Sequence, residues 1–502
     1  MNQTLLRGKR STLILESDNI QQLSSYYVPE PYLIFANKAR FKDPKAGLFL
    51  FGPYGQYGDA SAVKITANAG IIGTSGSIGN LLDFFDFLHN RLPANSVGGV
   101  DFPGLGLDGR LRFDVHFDEQ WQETIDKIDI DECESKGKRT DKALHLLKLI
   151  DDKLASLHQK QPNPDVVFIT LPTELHKMCI LPGQIGLKIT LANRRFSSTP
   201  SEEQMQGDYD FHNIIKVIGM KHRLPTQFVL PTSLDLDRKL FVQDLATRAW
   251  NLSVAAYYKS KGVPWKLAEL EAGTCYAGIS FYRECSPEGK QSMRASVAQV
   301  FLATGETLIL RGDPFEWPDS DIRPHMNVRQ AQALRDQIMN AYSKTHKERP
   351  ERLVIHKSTE FLPEETKGFT DPDNTIKQID LLALTQSPIY WYRDGGYPIV
   401  RGNVVKVSES EFYVFTLGYI PQLQTFPKPG IPIPVRVRAS NLDTPERKMC
   451  KEILSLTRLN WNNADFCDQM PITISASDRI GDILSEARIR DVEVSTEYKY
   501  YM

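Results

Sequence analysis

Cysteine is scarce. Six occur in 502 residues, at positions 133, 179, 275, 285, 450 and 467, and no two form a Cys-x-x-Cys pair. That scatter argues against a zinc site or a disulfide framework and fits a reducing compartment. No uninterrupted apolar run reaches the roughly 18 residues needed to span a bilayer. The opening "MNQTLLRGKRSTLILESDN" lacks a sustained apolar core and a small-residue cleavage site, so no secretory signal is expected and the cytoplasm is the expected location. Strong net charge is also missing: the formal value is -2. This excludes a surface coated in basic charge but leaves room for one basic channel. "FGPYGQYG" (51–58) is Gly-rich without matching G-x-x-x-x-G-K-[ST], so it reads as a turn with aromatic packing rather than a nucleotide loop.

What remains is an ordinary soluble composition, 41% hydrophobic and 24% charged, long enough for two cores. The first half alternates strands with helices. "VKITANAGIIGTSGSIGNLLDFFDFLHNRL" (63–92) reads strand, Gly/Ser loop, helix. "TDKALHLLKLIDDKLASLHQKQ" (140–161) carries apolar residues at helical spacing, and "PDVVFITLP" (164–172) is a short apolar run closed by Pro, as a buried parallel strand would be. "FHNIIKVIGMKHRLPTQFVLP" (211–231) reads helix, loop, strand; "DLATRAWNLSVAAYYKSKG" (244–262) reads helix. This is the pattern of an open α/β sheet. After a boundary near 262–270, three strand candidates in meander order (274–313) precede a helix (327–347) and a buried strand, "RLVIHKS" (352–358). Later come strands at 378–387 and 412–419 and a final helix near 445–461. Three antiparallel strands, a helix, then a parallel strand is the order of an RNase H-like fold. The expected division is 1–265 and 266–502.

His212 and Lys216 are four apart and share a helix face. Gln227 follows on the next element, and Lys259 lies late in the next long helix. Two cations with a polar amide suit a terminal phosphate, which offers several anionic acceptor oxygens. From 212 to 267 nine Lys or Arg stand against three Asp, inside a chain of net -2. The plainer reading is a set of solvated helix faces, and spacing alone does not separate the two.

These residues, with "AAYYKSKGVPWKL", "TCYAGISFY", "FTLGYIPQLQ", "RIGDIL" and the opening "EPYLIFANKARFKDPKAGLFLFGPYG", resemble a short prokaryotic argonaute over essentially the whole chain. The resemblance implies a Rossmann-like MID domain with an N-terminal extension (1–265), then an RNase H-like PIWI domain (266–502). It assigns guide 5′-phosphate binding to His212, Lys216, Gln227 and Lys259. The family's K-x-G-G reads Lys259-Ser260-Lys261-Gly262 here, so Lys261 replaces one glycine. In some argonautes the C-terminal carboxylate helps hold a metal at the phosphate; that would place Met502 beside a structural Mg²⁺. Arg401 and Asn403 in "IVRGN" are similar to a family stretch near the guide backbone.

A two-metal nuclease needs several carboxylates converging on two Mg²⁺ ions. In slicing PIWI domains one Asp lies in the first strand and another follows the buried parallel strand. Here those places hold Ser280 and Ser358, and a neutral hydroxyl does not replace a carboxylate's charge. The literal Arg-Asp-Gly around Asp394, in "WYRDGGYPIV", follows a later segment and reads as a surface turn. Glu306, Glu316 and Glu360 read as solvated acids, Cys275 and Cys285 as small core residues, and "VEVSTEYKYYM" (492–502) as core packing.

No slicing activity is therefore expected of this chain. The resemblance implies a guide RNA that recognises invading single-stranded DNA. It also implies a heterodimer with an APAZ-containing effector protein, a TIR or sirtuin-like NADase, which depletes NAD⁺ in prokaryotic immunity, with oligomerisation of the heterodimer on activation. The chain reads as having no PAZ-type domain. Two other classes stay open: a metal-dependent nuclease using Asp394 and Glu306, and a guide-independent nucleic-acid binder indifferent to a 5′-phosphate.

Overall fold

The computed structural model describes residues 5–8, 11–14, 23–54, 65–95, 98–179, 210–236, 243–285, 291–300, 308–315, 324–370, 376–390, 399–427, 430–489 and 492–502. After a short strand, β1 (Ser24–Tyr27), the first half builds an α/β unit. Its elements run β2 (Ile65–Gly73), α1 (Ser75–Phe87), β3 (Phe113–Thr124), α2 (Arg139–Gln159), β4 (Val166–Thr170), α3 (Thr173–Cys179), α4 (Phe211–Lys221), β5 (Thr226–Val229) and α5 (Leu245–Lys259). The four strands are all parallel, in the order β3-β2-β4-β5. That is the open, Rossmann-like sheet the alternation predicts.

Local chemistry explains these elements. β4 is buried along its whole length, as a central parallel strand must be, and the chain leaves it at Pro172. Thr74 caps α1 by accepting from Ser77 N. Just before it, Gly73 passes so close to β4 that a Cβ would lie 2.4 Å from the Thr170 carbonyl oxygen. The apolar stripe of α2 (Ala143, Leu146, Leu147, Ile150, Leu154, Leu157) packs with Ile214, Ile215 and Ile218 of α4 in one cluster. Truncating one of these isoleucines to alanine would cost about 2–5 kcal/mol.

The second half forms a nine-stranded mixed sheet. Its elements are β6 (Thr274–Cys285), β7 (Gln291–Val300), β8 (Leu308–Arg311), α6 (Val328–His346), β9 (Arg352–Lys357), α7 (Pro363–Phe369), β10 (Gln378–Gln386), β11 (Asn403–Lys406), β12 (Glu411–Val414), β13 (Val435–Leu442), α8 (Glu446–Leu456) and α9 (Ile472–Ile489). The strand order is β8-β7-β6-β9-β10-β13-β12-β11-β1. β6, β7 and β8 are antiparallel neighbours, and β6, β9 and β10 are parallel. This is the RNase H-like arrangement. α6 covers one face and α9 the other. Gly278 lets α9 approach β6: a Cβ there would lie 1.8 Å from the Thr473 carbonyl oxygen.

Three features differ from the sequence reading. The helix expected near 445–461 ends at Leu456 and is not the last; α9 follows it. The strand expected over 412–419 stops at Val414, where the chain turns back so that Tyr419 N donates to Ile399 O. The expected division near residue 265 is crossed by β1, which pairs with β11 as the outer strand of the second sheet.

A buried ion cluster holds that crossing in place. Glu30 accepts from Arg401 Nε at 2.8 Å and from Arg458 Nη1 at 2.5 Å. Arg401 also donates to Leu454 O, Thr457 Oγ1 and Thr416 O. Its guanidinium is spent inside the protein, so the expectation that it contacts a guide backbone is corrected. Asn403 sits in the β11 ladder opposite Tyr27 and accepts from Phe415 N through its carbonyl. One apolar core runs through both units, joining Phe113, Phe168 and Trp250 to Val354, Val437 and Ile480.

Candidate functional site

The site lies where α4 and α5 of the first unit meet α9 and the last residues of the chain. Asp210 caps α4, accepting from His212 N and Asn213 N at 2.9 and 3.1 Å, which fixes where His212 points from the first turn. One turn on, Lys216 Nζ donates to Met502 O. Lys259, the last residue of α5, reaches back to β5 and donates to Thr226 O at 2.9 Å and Gln227 Oε1 at 2.5 Å. Gln227 Nε2 turns to Phe228 O. The four predicted residues therefore fall on the neighbouring elements α4, β5 and α5. Gln227 and Lys259 are in direct contact.

Lys259 is 1% exposed, while His212, Lys216 and Gln227 are half-buried. The site thus has a buried lysine at its floor and partly exposed side chains around it. Burial pushes the Lys216 ammonium down to about 7, with Arg479 nearby adding to the effect and Asp210 opposing it. The hydrogen bond to Met502 O also favours the charged form and so works against burial. Lys259 lies well below the usual lysine range, from burial first and then from Lys216 and Arg479. Among the described residues neither lysine has a carboxylate side chain in ion-pair range. Three basic side chains from α4, α5 and α9 act on one another electrostatically, with Asp210 and the Met502 oxygen as the opposing groups at Lys216. An anion with several acceptor oxygens would relieve both the desolvation and the repulsion.

Arg479 was missed by residue-level reasoning. It lies within "RIGDIL", and the only signal was that hexapeptide's resemblance to the family. Without α9 in view, nothing connected position 479 to position 216.

The expected Mg²⁺ is tested by its donors. Met502 O accepts from Lys216 Nζ, and Lys259, Arg479 and Asp210 share the electrostatic surroundings of that lysine. A hard dication needs several anionic oxygens, and among the described residues no group of three or more His, Cys, Asp or Glu side chains could hold a metal ion.

Below this pocket, His212 and the neighbouring His176 pack against Phe228. The ring centroids of His212 and Phe228 are 4.6 Å apart, and those of His176 and Phe228 are 5.4 Å apart. Among the described residues, the Nε2 atoms of both histidines are buried without a hydrogen-bond partner. Each such atom costs about 1–3 kcal/mol relative to a satisfied one. Burial lowers the His212 pKa, Lys216 adding to the fall and Asp210 opposing it.

The second set of predicted positions lies on the α9 face of the large sheet. Ser280 on β6 is 2% exposed, and its Oγ donates to Asp478 Oδ1 at 2.5 Å. Burial raises Asp478 to about 6; Asp482 adds to the rise and the Ser280 bond opposes it. Ser358 follows β9, its backbone N donating to Ile279 O. Lys357, beside it, is locked in a fully buried pair with Glu365 at 2.6 Å. One carboxylate, Asp478, therefore faces the serine in the first strand. Glu360 is engaged by Arg438 at 2.7 Å rather than lying free. Cys275 is fully buried, as read. Asp394, Glu306, Glu316, the Cys285 side chain and the second half of "FGPYGQYG" (55–58) lie outside the described residues. The last residues do dock: Tyr498, Tyr501 and Met502 are buried against the core. Lys261 occupies the left-handed region (φ 70°) just after α5, the conformation a glycine would otherwise supply.

A Rossmann-like unit and an RNase H-like unit, with a buried cationic pocket at their junction, define a two-domain α/β architecture. That architecture is the MID–PIWI fold. An argonaute from Clostridium butyricum, solved with a guide DNA and a 19-mer target DNA, superposes with a TM-score of 0.63 at 14% identity. The match covers 95% of this chain and 54% of that one. The Aquifex aeolicus argonaute with externally bound siRNA gives 0.56 at 14% identity, covering 95% and 56%. Drosophila Piwi gives 0.59 at 11% identity, also covering 95% and 56%. In sequence, the curated Aquifex aeolicus (strain VF5) argonaute is 20% identical over 289 residues, 57% of this chain and 36% of that protein. This chain therefore spans about half the length of the structures it matches. No family model matches it.

Proposed function

We propose that this protein holds a nucleic-acid guide strand by its 5′-phosphate and presents it for pairing without cutting the paired strand. The observation that carries this reading is the convergence of Lys216, Lys259 and Arg479, with no Asp or Glu side chain paired to them among the described residues, beside Gln227 and His212. A terminal phosphate would add the negative charge these groups favour, and the half-buried rim leaves a way in for the strand attached to it. The fold supports the reading, because solved proteins that share it carry guide and target strands.

The non-cutting half rests on Ser280 and Ser358. Asp478 alone, bonded to Ser280, does not supply the charge two Mg²⁺ ions require. The finer reading is a short-type argonaute. Its guide RNA would recognise invading single-stranded DNA, and pairing would activate an APAZ-containing effector, TIR or sirtuin-like, that depletes NAD⁺. The sequence resemblance supports that reading, and the NAD⁺ chemistry would reside in the partner.

The test loads the protein with a 5′-phosphorylated RNA of about twenty nucleotides and adds labelled complementary or unrelated DNA with Mg²⁺ or Mn²⁺. The expected result is guide-dependent retention of intact complementary DNA. Guide-dependent cleavage would restore the nuclease reading, and retention indifferent to the guide would leave a general nucleic-acid binder.

A further inference from the structure

We propose that His176 is a second imidazole of the terminal-phosphate pocket, placed to donate a hydrogen bond from Nε2 to the phosphate alongside His212. This rests on the phosphate-pocket reading above and adds a residue to it.

His176 enters from a separate element. β4 ends at Thr170, and α3 begins directly after Pro172, with His176 N donating to Pro172 O at 2.9 Å. The side chain is delivered next to α4 and is 5% exposed. Its ring stacks on His212, centroids 5.9 Å apart and planes 26° from parallel, and on Phe228, at 5.4 Å and 28°. The three rings form one packed group beside Lys216, which lies one turn along α4 from His212.

Packing does not explain the imidazole. A phenylalanine at 176 would keep both stacks and remove the unsatisfied nitrogen. Instead two buried Nε2 atoms, one from α3 and one from α4, lie in adjacent stacked rings without a partner among the described residues. Buried polar atoms in native proteins are overwhelmingly paired, so two together point to a ligand with several acceptors. A phosphate offers only acceptors. Burial also keeps His176 neutral, lowering it to about 4, with His212 adding to the effect. Neutral imidazoles donate without adding charge to a site where three cations already repel one another. This division of labour leaves attraction to Lys216, Lys259 and Arg479 and directional donation to the two histidines.

The experiment compares binding of a twenty-nucleotide RNA carrying a 5′-phosphate or a 5′-hydroxyl to wild type, His176→Phe and His176→Gln. His176→Phe keeps the ring stack and loses the donor; His176→Gln keeps a donor. His176→Phe is expected to weaken binding of the 5′-phosphorylated strand about 10- to 150-fold, the loss of one hydrogen bond to a charged group. It should leave the 5′-hydroxyl strand unchanged and melt no lower than wild type. His176→Gln should retain more of the phosphate preference than His176→Phe. A wild-type preference that survives intact in His176→Phe would overturn this assignment while leaving the pocket standing. Equal weakening of both strands would also overturn it, making His176 a packing residue. If wild type itself shows no preference, the pocket reading falls and this inference with it.

Discussion

Replacing Lys216 with methionine keeps the stem and removes the ammonium. In the ligand-free protein that ammonium is held near 7, against an ordinary value of 10.5. At 1.36 kcal/mol per pKa unit, the charged form is disfavoured by about 5 kcal/mol. Lys216 is half-buried, so this is a ceiling, and replacement of a buried charge by an apolar group more commonly stabilises by about 1–4 kcal/mol. The sign follows from proton counting. The unfolded chain keeps this lysine protonated up to 10.5, and the folded protein releases the proton near 7. The destabilisation is therefore complete below pH 7 and fades as pH rises from 7 toward 10.5. Lys216→Met should melt higher than wild type at pH 6–7, and the gap should narrow by pH 9. Binding should go the other way. A bound phosphate restores the proton, so wild-type affinity for a 5′-phosphorylated strand should fall as pH rises above 7. Asp210, Arg479, Lys259, His212 and Met502 face the same ammonium and set the width of that transition. Calorimetry from pH 6 to 9, in buffers of different ionisation enthalpy, counts the protons taken up. Lys216→Met should bind the phosphorylated strand about 10- to 150-fold more weakly, with a flatter pH profile. Affinity that is independent of pH in wild type and unchanged in Lys216→Met would refute the reasoning.

Other sites give further expectations. Glu30→Ala leaves two buried guanidiniums without a carboxylate and should lower stability by about 3–5 kcal/mol in denaturant titrations, without changing the salt dependence of strand binding. Asp478 is raised from 3.8 to about 6, so its contribution is intact below pH 3.8 and lost as pH rises through 6. Asp478→Asn should accordingly gain up to about 3 kcal/mol at pH 7 and little at pH 4 in chemical unfolding. Lys261→Val places a β-branched residue at positive φ and should cost about 1–2 kcal/mol; Lys261→Gly should be tolerated by thermal melting.

Much of this architecture is legible in the residues. The parallel sheet of the first unit follows from "VVFIT" ended by Pro172 and from the apolar stripes of α2 and α4, because burial on one face imposes a period that a reader can see. α9 was harder to find. "ITISASDRIGDILSEARI" mixes small, polar and β-branched residues, and what fixes it is tertiary: Gly278 opens a place on β6 for it to lie against. Missing that helix hid Arg479 and Asp478 together. Arg401 misled for the opposite reason. An arginine followed by Gly and Asn reads as exposed, and only the long-range partner Glu30, 371 residues earlier in the chain, shows that it is internal. The pocket itself was half legible. The four-residue spacing of His212 and Lys216 predicts a shared face, whereas the contact between Lys259 and Gln227 exists only once α5 has folded back over β5.

The central claim is that a terminal phosphate, rather than the strand alone, is what the pocket holds. It is tested most directly by titrating the wild-type protein with one RNA sequence of about twenty nucleotides, bearing either a 5′-phosphate or a 5′-hydroxyl, at pH 7 and fixed salt. The account predicts that the phosphorylated strand binds at least about tenfold more tightly, the equivalent of 1.4 kcal/mol. Equal dissociation constants for the two strands would contradict it.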